Sequence, residues 1–369
     1  MKILVTGAKG FIGKNLIAEL KNRGYETIFE VDTDTTDADL TEYCNEAEFV
    51  FHLAGVNRPE NDDEFMEGNF GFTSVLLNKL REAENLAPVL ITSSTQACLD
   101  NAYGRSKKAG EELMFSYSRQ TGADVYVYRL TNVFGKWSRP NYNSVVATFC
   151  NNIAAGLPIK VNDPSVVMKL IYIDDVVDEF IAAMNSQANI VDNYGVVPVE
   201  HTVELGKIAE LIYSFKESRE NLSVPNLNNE FEKKLYSTYL SFLPKEQFAY
   251  NLNKKSDERG SFTEFLHLNE RGQVSVNVAK PGITKGNHWH HTKNEKFLVV
   301  SGEAVISFRK VGDDEVIQYN VNGNDMKVVD IPCGYVHNIK NVGEKDLVTL
   351  MWANEEFNPL KPDTYFELV

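Results

Sequence analysis

Through the first two thirds of the chain, short apolar runs alternate with amphipathic stretches of helical period. The runs at 3–6, 27–31, 49–53, 89–92 and 124–130 are rich in Val, Ile, Leu and Phe. Between them, stretches such as 12–23 and 73–84 repeat apolar residues three and four apart. Short strands buried on both faces and separated by helices predict a parallel, doubly wound sheet. From about residue 247 the rhythm changes. Strand-like runs follow one another at 273–279, 295–300, 304–309, 327–331 and 347–352, punctuated by turn signals such as Ser301-Gly302 and Gly312-Asp313. No helix-length period separates them, which predicts an antiparallel sandwich or barrel. The change falls in the polar stretch 244–256, opened by Pro244, so two domains are expected, 1–246 and 247–369.

The 369 residues fit two cores better than one. A formal net charge of −15 argues against general affinity for nucleic acid, which needs basic surface to meet phosphates. An anionic small substrate would instead need basic groups gathered in a cleft. The four cysteines form no CxxC pair, and reduced thiols in the cytoplasm are the simpler reading. The first seven residues are too short an apolar run for a signal peptide, and no run approaches the length needed to span a bilayer.

Two sets of residues carry chemistry. The first opens with Gly7, Gly10 and Gly13 in GxxGxxG spacing between a strand and a helix. Glycines there let the backbone turn tightly and approach a pyrophosphate held by the helix N-terminus. Tyr103 and Lys107 follow, four apart and so on one helix face. A lysine beside a phenol lowers its pKa and fits it for acid–base work. Taken alone the pair reads equally as a surface pair; beside the glycine motif and the Ser93-Ser94-Thr95 turn it reads as an active site. Asp32, after the second strand, favours a free 2′-hydroxyl and NAD. Lys9, inside the glycine loop, favours a 2′-phosphate, and NADPH is the cofactor expected.

The second set is His288, His290, Glu295 and His337. Four of the seven histidines lie at 288, 290, 291 and 337. His288 and His290, two apart on a strand, point the same way. Imidazoles with one carboxylate suit a divalent zinc, iron, nickel or manganese ion. His291 fits neither motif and is expected to face solvent.

Residues 1–243 resemble the extended short-chain dehydrogenase/reductases that act on nucleotide sugars, with a Rossmann-type fold. The resemblance rests on the glycine motif, His52 to Gly55, Asn69, 91–95, Tyr103 to Lys107, Arg129 to Gly135 and Tyr172 to Val176. It implies that Tyr103 is the catalytic acid and that Lys107 holds the nicotinamide ribose. Thr95, or secondly Ser94, orients the substrate oxygen. Phe11 and Ile12 in the glycine turn, Asp39 and Leu40, and Leu53, Ala54 and Gly55 fall at cofactor-binding places. Asn132 lies near the sugar diphosphate, and either Lys169 or Arg139 supplies its positive charge. Gln96-Ala97 replace the acid–base pair of the family's dehydratases, so 4,6-dehydration is not expected.

The spacing Gly282-x5-His288-x-His290-x4-Glu295-x6-Gly302, with Pro332-x-Gly334-x2-His337-x3-Asn341, resembles the two cupin motifs. The 257–264 segment also resembles the opening motif of the dTDP-4-keto-6-deoxyhexose 3,5-epimerases, which implies substrate roles for Arg259 and Glu264. By that alignment His288 is a catalytic base; by the cupin alignment it is a metal ligand. Both halves in this order resemble the CapF-type bifunctional capsule-precursor enzymes. That implies a homodimer with zinc in the cupin and a UDP-sugar substrate. The activities implied are C3 epimerisation followed by NADPH-dependent C4 reduction to UDP-2-acetamido-2,6-dideoxy-β-L-talose. Two other readings stay open: a single-activity reductase whose cupin only dimerises the chain, and a non-catalytic dinucleotide sensor.

Overall fold

A computed structural model describes the whole chain except Arg58, Glu60, 269–271, Phe357 and Lys361. The chain divides into two compact units, Met1–Tyr213 with Glu230–Pro244, and Ser214–Asn229 with Lys245–Val369. The sequence pattern gives no sign of the 214–229 excursion.

The first unit begins β1 (Lys2–Thr6), α1 (Phe11–Asn22), β2 (Thr27–Val31), α2 (Asp37–Glu46) and β3 (Phe49–His52). A short turn, α3 (Asp63–Phe65), leads through a wide helical segment, Met66–Gly71, into α4 (Phe72–Glu82). Then come β4 (Val89–Ser94), α5 (Ala102–Thr121), β5 (Val125–Leu130), β6 (Asn132–Phe134), α6 (Val145–Ala154), β7 (Val167–Tyr172) and α7 (Ile173–Met184). The short strands β8 (Ile190–Val191), β9 (Tyr194–Gly195) and β10 (His201–Glu204) precede α8 (Leu205–Asn221) and α9 (Glu230–Ser241).

The main sheet runs β2-β1-β3-β4-β5-β9-β8, with β2 to β5 parallel. Along β1, Ile3 and Val5 enter one buried cluster with Leu16, Phe51 and Phe180, and Leu4 enters another with Val50, Leu76 and Val127. This alternation is why the run reads as continuously apolar: both faces are covered by helices. Strand order reverses between β1 and β3, the switch point where ligands bind in such sheets. A small sheet, β10-β7-β6, stands apart from the main one.

All strands of the second unit pair antiparallel. They are β11 (Lys254–Asp257), β12 (Gly260–Leu268), β13 (Gly272–Ala279), β14 (Thr284–Trp289), β15 (Glu295–Ser301) and β16 (Glu303–Lys310). There follow β17 (Val316–Asn322), β18 (Val328–Ile331), β19 (Tyr335–Asn341), β20 (Leu347–Ala353) and β21 (Tyr365–Phe366). They form two sheets, β11-β12-β13-β20-β15-β18 and β17-β16-β19-β14-β21. Phe297 and Val299 of the first share a buried core with Ile306, Phe308 and Ile339 of the second. The fold is the expected pair of a Rossmann-like parallel sheet and a cupin-like antiparallel barrel. Among the described residues, no helix is long and apolar enough to cross a membrane.

Candidate functional sites

The glycine turn sits at the switch point. Gly7 has φ +69°, and a Cβ there would meet the Ala54 nitrogen at 2.7 Å; a Cβ on Gly13 would meet the Gly7 oxygen at 2.3 Å. The turn therefore packs directly on the Leu53–Ala54 backbone. Helix α1 starts at Gly10 with no side-chain cap and no acidic residue in its first turn, leaving Phe11, Ile12 and their neighbours with the open N–H groups a pyrophosphate needs. These features fit a dinucleotide.

The two residues that point to opposite cofactors lie side by side. The Lys9 backbone N–H donates to the Asp32 carboxylate at 2.8 Å, and the Lys9 ammonium pairs with Asp34 at 2.6 Å. Asp39 and Leu40 serve α2 itself. Asp39 completes a capping box with Thr36, and Leu40, whose N–H goes to the Thr36 carbonyl, is buried in the core.

Helix α5 presents Tyr103, Lys107 and Glu111 along one face. Asn101 caps it, accepting from the Gly104 N–H at 2.7 Å. The Lys107 ammonium lies 5.9 Å from the Tyr103 ring centroid and donates to the Thr92 carbonyl at 3.3 Å. Burial pushes Lys107 down to about 8, opposed by the Glu111 carboxylate. Glu111 is itself buried and held by Arg129 at 2.6 Å and by Ser93 at 2.5 Å. Burial raises the Tyr103 phenol, while a hydrogen bond with Ser94 lowers it.

Of the two candidate hydroxyls, Ser94 is the one that bears on the phenol. Ser94, at the end of β4, meets the phenol, whereas Thr95 is exposed in the 3-10 turn Thr95–Cys98. The diphosphate candidates separate in the same way. Arg139 stacks over Tyr142 at 4.9 Å, and Tyr142 is near enough to oppose Tyr103 ionisation. Lys169 pairs with Glu200 at 2.9 Å, and the exposed Asn132 side chain donates to the Lys169 carbonyl at 3.1 Å.

In the second unit, His288, His290, Glu295 and His337 come together, with one candidate ligand atom from each within 4.8 Å of all the others. A bulge between Gly286 and His288, with Asn287 at φ +61°, sets where His288 points. His290 Nδ1–H donates to the Asp363 carbonyl at 2.6 Å, and His337 Nδ1 faces the Tyr335 carbonyl at 3.3 Å. Their Nε2 atoms lie 3.6 Å and 3.3 Å from Glu295 Oε2, and all three atoms are buried without a hydrogen-bond partner. Orphaned lone pairs converging from ligand-type atoms, each imidazole oriented by a carbonyl, fit a divalent metal. Burial would raise the Glu295 carboxyl, but the two imidazoles outweigh it and hold it well below the usual range. Burial, helped by His337, pushes His288 down to about 4. It is thus neutral at pH 7, the form a ligand requires and a base starts from.

A cavity of about 580 Å³ opens onto this cluster, lined by Lys255, Arg259, Lys285, His288, Glu295 and His337 among others. Arg259 lies at its wall in a pair with Asp257 at 2.6 Å. Glu264 does not line it; its carboxylate is 3.7 Å from Lys255. Sequence reasoning missed the strap at 363–366. The Asp363 carboxylate accepts from the backbone N–H groups of His291, Thr292 and Lys293 at 2.9–3.0 Å, and Phe366 lines the cavity. A lone aspartate far along the chain carries no signal of this role.

Residues 3–196 match the NAD dependent epimerase/dehydratase family, and residues 255–365 match the polysaccharide biosynthesis C-terminal domain. The chain belongs to the NAD dependent epimerase/dehydratase family. It is 44% identical over 365 residues to a UDP-2-acetamido-2,6-beta-L-arabino-hexul-4-ose reductase of Pseudomonas aeruginosa, covering 99% of this chain and 98% of that one. It resembles the crystal structure of the capsular polysaccharide assembling protein CapF from Staphylococcus aureus at 53% identity and TM-score 0.95, with both chains covered completely. UDP-glucuronate 4-epimerase 2 of Arabidopsis thaliana is 26% identical over 241 residues, half of this chain and 55% of that one. The first two likenesses span both units, so the pairing of a Rossmann-type unit with this barrel is shared along the whole length.

Proposed function

We propose that the chain is a bifunctional nucleotide-sugar enzyme. It inverts C3 of a UDP-2-acetamido-2,6-dideoxy-4-keto hexose in the barrel, then reduces C4 with NADPH in the first unit. The product is UDP-2-acetamido-2,6-dideoxy-β-L-talose, a precursor of N-acetyl-L-fucosamine for capsule. One observation carries the reading: a half-buried Tyr103–Lys107 pair beside Ser94, in a chain 44% identical from end to end to a hexul-4-ose reductase.

When bound, the dinucleotide supplies the hydride that C4 receives. Tyr103 gives its proton to the C4 oxygen as the carbonyl becomes an alcohol. Ser94 holds the same oxygen, and the Lys107 ammonium stabilises the phenolate left behind. In the barrel, the C4 ketone acidifies the C3 hydrogen. His288, neutral and facing the cavity, is placed to remove it, and Lys285 at the cavity wall supplies positive charge for the enolate. Protonation from the opposite face inverts C3. A divalent ion, with zinc the choice that fits this ligand set, would be held by His290, Glu295 and His337, and its chemistry is that of a Lewis acid. His288 is its fourth ligand or the free base. The chain acts as a cytoplasmic homodimer.

Incubating the full-length protein with the 4-keto sugar nucleotide tests both steps. NADPH oxidation reads reduction. Deuterium uptake at C3 from heavy water, without NADPH, reads epimerisation. Reduction without exchange would leave a single-activity reductase, and neither activity would leave a dinucleotide sensor.

A further inference from the structure

Asn57 lies on the loop after β3, and its position is fixed. The preceding residue, Val56, is clamped on both sides by the buried Asn69, which accepts from the Val56 N–H at 3.0 Å and donates to its carbonyl at 3.1 Å. Asn69 is tied in turn to Ser106 of α5 at 3.0 Å. This places Asn57 Oδ1 3.0 Å from the Tyr103 phenol, which donates to it.

The phenol has a second partner in Ser94. The Ser94 oxygen already accepts from the Gln96 N–H at 3.2 Å, so its own proton is available to the phenol oxygen. The proton of the phenol is committed to Asn57. Tyr103 has a single proton, and a ketone reduced here must receive it. The carboxamide oxygen of Asn57 therefore occupies, towards the phenol, the place that the C4 oxygen must take.

We propose that Asn57 is a positioning residue that stands in for the substrate carbonyl in the free enzyme, holding the Tyr103 proton until the C4 oxygen displaces it. The proposal rests on the reductase reading of this site. Lys107 on the same helix, Phe65 on α3 at 5.4 Å between ring centroids, and Tyr142 after β6 also face Tyr103. Ser94 and Lys107 favour the phenolate. An acceptor such as Asn57 favours the phenol, the form a reductase must start from.

The test compares full-length wild type with Asn57→Ala and Asn57→Ser in two measurements. One is NADPH oxidation with the 4-keto sugar nucleotide. The other is ultraviolet titration of the Tyr103 phenol, read as the difference from Tyr103→Phe in each background. In Asn57→Ala the substrate no longer has to break this hydrogen bond. KM should fall about two- to tenfold, the worth of one net hydrogen bond, and by a larger factor than any change in kcat. Tyr103 should ionise at lower pH. Asn57→Ser, which retains an oxygen acceptor, should lie between. An unchanged or raised KM, or an unmoved Tyr103 titration, would overturn the proposal. Absence of NADPH oxidation in wild type would instead overturn the reductase reading, and the titration would still report whether Asn57 holds the proton.

Discussion

The Asp363 carbonyl accepts from the Nδ1–H of His290 at 2.6 Å, which leaves Nε2 as the nitrogen that faces Glu295. One backbone contact, 73 residues away in sequence, thus chooses the tautomer that a metal needs. The Asp363 carboxylate adds a second constraint by collecting the N–H groups of His291, Thr292 and Lys293.

Replacing His290, Glu295 or His337 with alanine should remove about one divalent ion per chain and lower the melting temperature, because the ion binds only the folded arrangement. Asp363→Ala keeps the carbonyl that orients His290 but removes the carboxylate that pins the strap across 291–293, so it should loosen that orientation and weaken metal affinity by up to about tenfold, the low end of what losing an orienting partner costs, measured by competition with a chelator. Loss of His288 should abolish C3 exchange with metal retained if it is the base, and lower both together if it is a ligand. Full metal occupancy after loss of His337 would sink the site.

Tyr103→Phe removes the phenolic proton and leaves the barrel untouched. NADPH oxidation should drop by about 10²–10⁴-fold, the range for general acid catalysis, while C3 deuterium uptake persists. Loss of both in a folded variant would show that the two steps do not divide between the units as proposed.

Lys9 is held by Asp34 in an exposed pair, and such pairs add little to stability. Asp34→Asn should therefore leave the melting temperature nearly unchanged and tighten NADPH by freeing the ammonium for the 2′-phosphate. Lys9→Glu should weaken NADPH by replacing attraction to the 2′-phosphate with repulsion, with little effect on NADH. Equal changes for both cofactors in a binding titration would show that Lys9 does not read that phosphate.

In the proposed reduction Lys107 must carry its charge to steady the Tyr103 phenolate, and burial brings its pKa down to about 8. The kcat/KM for reduction should therefore hold below that value and fall as pH rises through it, where an unperturbed lysine would keep its charge to about 10.4. A flat profile between pH 7 and 9.5, a window of roughly 1–1.5 units on either side of the lowered value, would show that the charge is not needed.

Much of both sites was legible in the sequence because the chemistry fixes residue types at short spacings. Gly7, Gly10 and Gly13 answer to one turn, Tyr103 and Lys107 to one helix face, and His288 and His290 to β14 and the residue just past its end. What escaped the sequence depends on distant segments meeting. Ser94 and Thr95 are adjacent hydroxyls, and only the way β4 ends against α5 decides which meets Tyr103. Asn57 meets Tyr103 across 46 residues of sequence, and Asp363 is an aspartate like many others until the strap lies across 291–293. Strand β17 is exposed along most of its length, so burial left little pattern in its sequence. The capping box between Thr36 and Asp39 is legible as a short Thr-x-x-Asp spacing at the start of α2.

The chain passes from the first unit to the second at 213/214, returns at 229/230, and leaves again at 244/245. The continuous helix α8 spans the first of these crossings. No single cut can therefore release either unit whole. A fragment starting near residue 247 would lack 214–229, whose Leu222 carbonyl accepts the His267 N–H at 2.7 Å. Gene fusions, half-chain expression and barrel exchange with relatives must all carry that detour along, so the two candidate sites travel through engineering as a single inheritable piece.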